Sequence, residues 1–489
     1  MRRPFMIRGN AKSVRELVAR ADQALEDGEI NAALRMVYDY VETIITQPIC
    51  TAQVFASREL DQLCHRIGCK NLAQIGQLQR EVWPEKNNRD RIIYVITKLQ
   101  SSGGHSRLIR DFIQAQPDKD HYILATGLAG PSDLGGMKDA IEASGNIRFL
   151  AAPRGDFQSR LSWLQGLLRD AAPDHVYLFN HHQDSVAVAS IVPELGLKAS
   201  FCHHGDHHLC LGVHLENVVH LDHHPMGYHH CRGDLGIDNV YLPLTFEDRG
   251  GQSAAKPSGA HDGLSTATVA RYNKIEIPYF ISYLDLVPQI LEATKGRHIH
   301  IGKLTPWALR KIKSGLRKAG IDESRFIYIE YTPSVWKTLQ EQHVDVYVAS
   351  FPYGAGLTLI EAMGAGIPVI LHRHLWSRML SGIELAYPEA FHWNKPKDLL
   401  SYISTIDQSR LATEGIVARK HYKKFHLPDV LANYLKHPDI VKYDPLPLKT
   451  ELIFQQDEWA SSVLSQITLS VIAYNWFYRF FRKVRTLFS

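Results

Sequence analysis

Apolar residues follow two different rhythms along this chain. In residues 10–82, Val14, Leu17, Val18, Ala21 and Leu25 recur at helical spacing, as do Ala33, Leu34, Val37, Tyr40, Val41 and Ile44. That rhythm predicts two or three amphipathic helices. From residue 92 onward, short unbroken apolar runs take over: Ile92-Ile93-Tyr94-Val95-Ile96, Tyr122-Ile123-Leu124-Ala125, Val176-Tyr177-Leu178-Phe179 and Ala199-Ser200-Phe201. Runs of this length without polar alternation fit strands covered on both faces. Helical stretches lie between them, one marked by Leu108, Ile109, Phe112 and Ile113. Strands alternating with helices predict an α/β fold with a doubly wound parallel sheet.

Residues 250–266 are rich in Gly, Ser and Ala and read as a linker. Beyond them the alternation restarts, with strands expected over 267–270, 298–301, 326–329, 344–349 and 368–371. Helices are expected over 279–294, 307–319, 335–342 and from Leu357 to Gly364. The resulting organisation is a helical extension (1–85), a first Rossmann-like domain (86–249), the linker, a second Rossmann-like domain (267–425) and a helical tail (426–489). Such sheets bind ligands at the carboxyl ends of their strands.

The most informative stretch is 349–371. An apolar strand runs into a turn bearing Gly354 and Gly356, and a helix then opens at Leu357 and carries Glu361. Amides at Gly356, Leu357 and Thr358 would face outward from the positive end of the helix dipole, which suits a phosphate. A carboxylate one turn further in, Glu361, suits the hydroxyls of a ribose. Phosphate and diol side by side describe a nucleotide site.

Glu361-Ala362-Met363-Gly364-Ala365-Gly366-Ile367-Pro368-Val369 resembles the second half of the donor signature of GT-B glycosyltransferases, in particular the retaining family of bacterial polysaccharide and lipopolysaccharide transferases. That family carries a further Glu eight residues upstream, where this chain has Tyr353. The resemblance implies the GT-B architecture, two Rossmann-like domains facing a cleft, over residues 88–425. It implies that Arg271 and Lys274, after the first strand of the second domain, neutralise the donor diphosphate. It also implies that the Gly103-Gly104 loop touches the donor, and that Tyr353 stands where the family places a carboxylate near the donor sugar. Retention of anomeric configuration rests on the resemblance alone. Leaving-group charge is met by cations and peptide dipoles, so no metal or other cofactor is expected. The donor is expected to be a UDP- or GDP-linked sugar, and the acceptor a glycan, a lipid-linked molecule or a protein. Asp118-Lys119-Asp120 has the form of a metal-binding Asp-x-Asp but reads as a charged surface turn.

Residues 203–230 hold many of the chain's 26 histidines. Three readings stay open. One or two of these residues, His204 and Asp206 foremost, take the acceptor proton or bind the sugar. Alternatively, His, Asp and Cys bind a metal, although no standard zinc spacing is present. Otherwise the histidines satisfy local hydrogen bonds.

A net charge of +4 gives no reason to expect nucleic acid as a partner. Six cysteines without a CxxC pair suggest a reducing compartment. The first ten residues lack a sustained apolar core, so a cytoplasmic location is expected. After residue 458 the tail combines aromatics with Arg479, Arg482, Lys483 and Arg485 and has no acidic residue. It reads either as an interfacial helix on anionic lipid, giving peripheral membrane contact, or as a helix packed on the protein. Rival functions are a nucleotide-sugar epimerase or phosphorylase, and a non-catalytic scaffold with a metal-binding His loop.

Overall fold

The computed structural model describes residues 13–45, 54–75, 83, 88–100, 104–143, 145–251, 263–277, 279–375 and 377–449. Gly103, most of the linker and the aromatic tail lie outside them. Two compact units result. The first comprises residues 1–247 with 425–448, and the second 248–424 with 449–489.

The first unit is built on a seven-stranded, wholly parallel sheet. Its strands are β1 (Arg91–Ile96), β2 (Asp120–Ala125), β3 (Ile147–Ala151), β4 (His175–Phe179), β5 (Ala199–His203), β6 (Val218–Asp222) and β7 (Asn239–Tyr241), in the order β3-β2-β1-β4-β5-β6-β7. All six residues of β1 are buried. Ile93 and Val95 join one apolar cluster, whereas Ile92, Tyr94 and Ile96 join another on the opposite face. That two-sided burial is why the run is apolar throughout.

The N-terminal helices Val14–Glu26, Ile30–Ile45 and Arg58–Gln74 share the first of these clusters with the sheet. They are therefore part of this unit's core. Ser13 and Ser57 start the first and third by accepting the amides of Glu16 and Leu60. On the other face, the helix Pro428–Lys436 places Leu431 and Tyr434 against Leu108 and Phe112. Residues 425–448 thus return to the first unit, which departs from the tail expected to begin at 426. Strands β3, β6 and β7 have no counterpart in the apolar runs. Two of the five residues of β3 are exposed, and β6 is polar at His220 and Asp222.

The second unit repeats the topology. Strands β8 (Thr266–Val269), β9 (His298–Ile301), β10 (Phe326–Ile329), β11 (Val346–Val348), β12 (Val369–His372) and β13 (Phe391–Trp393) form a parallel sheet in the order β10-β9-β8-β11-β12-β13. Its helices include Tyr283–Thr294, Pro306–Lys318, Val335–Glu341 and Leu357–Gly364. In each sheet the order reverses at the strand that comes first in sequence, between β1 and β4 and between β8 and β11. That reversal opens a crevice at the carboxyl ends of the strands.

Candidate functional site

In the second unit the reversal brings the expected donor residues onto one edge. β8 pairs with β11, and each runs straight into its loop at that edge. Arg271 is exposed and caps the short helix Tyr272–Ile275. Lys274 donates from Nζ to the Gly354 carbonyl at 3.3 Å, and its own carbonyl accepts the Tyr353 amide at 3.3 Å. The basic turn and the glycine turn are thereby tied together. Burial holds the Lys274 ammonium below its ordinary pKa, and a nearby phosphate would reverse that.

Two observations explain the glycines. A Cβ at Gly354 would stand 2.6 Å from the Leu380 carbonyl oxygen, so the turn closes only without a side chain. A Cβ at Gly356 would meet nothing within 4 Å, so that face is open to approach. Helix Leu357–Gly364 starts there, with the Leu359 amide bonded back to the Gly356 carbonyl at 2.9 Å. Thr358 Oγ1 lies 3.0 Å from the Tyr347 hydroxyl, which fixes its rotamer. Tyr353 is part-buried, and its carbonyl accepts from Ser350 Oγ at 2.7 Å.

Glu361 is buried, with 7% of its surface exposed, and its Oε2 accepts the Trp336 amide at 2.9 Å. This contact was invisible in the sequence. It makes the carboxylate a cap for helix Val335–Glu341 and fixes its direction. Gly364 is needed for packing: a Cβ there would lie 2.1 Å from the Trp336 ring.

In the first unit the corresponding edge is lined by imidazoles. His105 lies in the helix Gly104–Gln114 after β1, with Gly104 exposed at its start; His181 and His182 follow β4, and His204 to His208 follow β5. His105 Nε2 donates to the Phe179 carbonyl at 2.9 Å, so the neutral ring keeps a lone pair on Nδ1. Its ring centroid stands 4.4 Å from that of His204 and 5.2 Å from that of His181. His204 Nδ1 donates to the Cys202 carbonyl at 3.2 Å, which leaves Nε2 as the basic atom. Burial lowers the pKa of these rings, to about 4 for His105 and about 3 for His181. Burial and the neighbouring rings His105, His181 and His182 press His204 down further. The rings are therefore neutral at pH 7.

Asp206 differs. Burial works to raise its pKa, but His207, His224 and His203 outweigh burial and hold it below the usual carboxylate range. Its carboxylate lies close to that of Asp222: a Cβ at Gly227 would stand 3.1 Å from Asp206 Oδ2 and 3.0 Å from Asp222 Oδ1. Sequence reading singled out His204 and Asp206 but not His105, His181 or His182. Only the sheet order brings the loops after β1, β4 and β5 side by side. The Asp118-Lys119-Asp120 turn is a surface ion pair, with Lys119 Nζ 2.7 Å from Asp90 and 3.1 Å from Asp118.

No family model and no curated protein matches the chain. Solved structures do. A mutant O-GlcNAc transferase from Thermobaculum terrenum aligns with 93% of this chain and 85% of its own at a TM-score of 0.51 and 13% identity. HepE (Alr3699) of Anabaena, in complex with UDP, aligns with 71% of this chain and 99% of its own at 0.54 and 13%. The lipopolysaccharide outer core galactosyltransferase WaaB aligns with 72% and 100% at 0.52 and 15%. At such identities the likeness is one of fold. The chain adopts the GT-B glycosyltransferase fold, as the donor-like motif led one to expect. No helix among the described residues is long and apolar enough to cross a membrane.

Proposed function

We propose that this protein is a metal-independent glycosyltransferase that moves a sugar from a UDP- or GDP-linked donor to a glycan, lipid-linked or protein acceptor. The observation that carries the reading is the second unit's crevice. There a basic turn (Arg271, Lys274), an open helix start (Gly356, Leu357, Thr358) and a directed carboxylate (Glu361) share one edge, linked by the Lys274–Gly354 bond. Arg271, Lys274 and the helix amides hold the diphosphate and stabilise the charge that grows on it as the glycosidic bond breaks. Glu361 accepts from the ribose, and Tyr353 flanks the donor sugar. HepE, a protein of the same fold, is crystallised with UDP and with UDP-glucose, which supports a nucleotide sugar as the ligand class here.

On the first unit, His204 Nε2 receives the acceptor proton and Asp206 binds acceptor hydroxyls. The aromatic, basic tail keeps the enzyme near a membrane on the cytoplasmic side. The test is a panel of nucleotide sugars, read by thermal shift and by release of nucleoside diphosphate with and without acceptor. Stabilisation by one nucleotide class and acceptor-dependent release is the expected result. Failure of every nucleotide to stabilise the protein would overturn the reading.

A further inference from the structure

Beneath the His204–His208 loop, the ends of two strands and the turn His230–Asp234 converge. His203 ends β5, His220 and Asp222 lie on β6, and Cys231 comes from the turn. All four are buried, Asp222 and Cys231 completely. One ligand-type atom from each lies within 4.8 Å of all the others. His203 Nδ1 is 2.9 Å from Asp222 Oδ1 and 3.5 Å from Cys231 Sγ. Cys231 Sγ is 3.7 Å from Asp222 Oδ1, and His220 Nε2 is 3.2 Å from Asp222 Oδ2.

We propose that His203, His220, Asp222 and Cys231 form a closed structural site for a divalent transition metal, zinc being the ion it fits best. Three arguments carry this. The first is distance. Tetrahedral zinc with bonds of about 2.3 Å to sulfur and about 2.0–2.1 Å to nitrogen or oxygen spaces its ligand atoms roughly 3.3–3.6 Å apart. The contacts above, made through both Asp222 oxygens, run from 2.9 to 3.7 Å, and one ligand atom from each residue lies within 4.8 Å of all the others, so small side-chain shifts reach that spacing.

The second is an unmet valence. The buried Nε2 of His220 stands 3.2 Å from Asp222 Oδ2 in poor hydrogen-bond geometry, and a metal bound by both atoms would satisfy them better. The third is charge. One thiolate and one carboxylate balance the charge of a divalent ion, and the neighbouring Asp206 carboxylate adds to the negative field that favours a cation here.

Asn239 supplies outer support. Its Nδ2 donates to Asp222 Oδ2 at 2.6 Å and to the Tyr228 carbonyl at 3.0 Å, which orients the carboxylate. Filling the site requires that the Cys231 thiol lose its proton to solvent as the Sγ–metal bond forms. Asp222 enters as the anion, and His203, whose Nδ1 proton bonds Asp222 Oδ1 in the empty site, must also give up that proton, to solvent or to its own Nε2, before Nδ1 can bind the ion. The metal would pin the base of the acceptor loop and touch no substrate, so transfer itself stays metal-independent. This inference does not depend on the proposed activity.

The test uses the full chain purified without a histidine tag. Elemental analysis should find about one zinc per chain. X-ray absorption of that zinc should show one sulfur and three nitrogen or oxygen neighbours, a readout that needs no variant. Protein stripped by chelator should lose thermal stability. On refilling with cobalt(II) it should show a thiolate-to-cobalt charge-transfer band, absent in Cys231→Ser and retained in Cys69→Ser. Cys69 belongs to a second grouping, with His65 and Glu194, and serves as the control. A metal-free protein that takes up no cobalt would overturn the proposal. So would zinc with a sulfur-free shell, which would mark binding by surface histidines, or a cobalt band that survives Cys231→Ser.

Discussion

The carboxyl ends of the first sheet present closely packed, neutral imidazoles and one ionised aspartate, whereas those of the second present a guanidinium, an ammonium and an open helix start. The two sheets share a strand order up to the sixth strand, so topology alone puts a crevice in the same place in each. The loops decide what the crevice binds. Where His105, His181 and His204 crowd together, burial and mutual repulsion keep them uncharged. Such a surface accepts and donates hydrogen bonds to hydroxyls but has little attraction for a diphosphate. Where Lys274 is bonded to the glycine turn, cation and peptide dipoles sum on one side, which is what an anion requires.

Experiments that separate the two regions should do so by different kinetic constants. The largest effect is expected from His204→Ala. Loss of a proton acceptor should lower kcat about 10²–10⁴-fold with the donor KM unchanged. An equal loss in nucleotide affinity would erase the distinction between the halves. Next come Arg271→Ala and Lys274→Ala, which should each weaken nucleoside diphosphate binding by roughly 10- to 100-fold, as removal of a charged hydrogen bond does. Isothermal titration would check this, and unchanged affinity in both variants would remove the diphosphate from this edge.

Glu361 gives a smaller but sharper comparison. Glu361→Ala orphans the Trp336 amide and should cost about 1–3 kcal/mol of unfolding free energy in denaturant titration. Glu361→Gln keeps that acceptor, so it should retain most of the stability while weakening nucleotide binding. If Glu361→Gln binds nucleotide normally, the carboxylate is a structural cap alone.

A last test concerns what the halves share. Burial depresses His105 to about 4, His181 to about 3 and His223 to about 4 in the first unit. It depresses His298 to about 3 and His300 to about 4 in the second. Unfolded, each takes a proton near pH 6.5. Between about pH 6.5 and 4 the unfolded chain therefore binds more protons, and stability is lost as pH falls through that window. Urea midpoints at pH 7 and pH 5 should show the drop. A flat profile would mean that the rings are more solvated than their packing implies.

Histidine also shows where sequence reading stops. His298 and His300 sit in β9 with both rings near the Tyr283 hydroxyl, at 2.9 and 2.7 Å, and are core residues. His203 and His220 converge on Asp222, yet their neighbours in sequence, His204 and His207, face a different environment. Residue type and spacing do not separate these cases, because the partners of His298, His300 and His203 lie 15, 17 and 19 positions away.

What the chain by itself determined was local. Strand β9, strand β10 and helix Leu357–Gly364 fall at the residues their apolar runs and glycines marked. These elements are specified by burial on two faces and by backbone permissiveness, which neighbouring residues encode. The donor-like motif was legible for the same reason, since its glycines, Glu361 and Pro368 lie within one strand–turn–helix. Tertiary structure decided the rest. It folded the N-terminal helices and residues 425–448 into the first unit's core and bound Glu361 to Trp336. It also drew His203, His220, Asp222 and Cys231 together. Each of these depends on which strands become neighbours, and a parallel sheet sets that through crossovers too long for any local pattern to record.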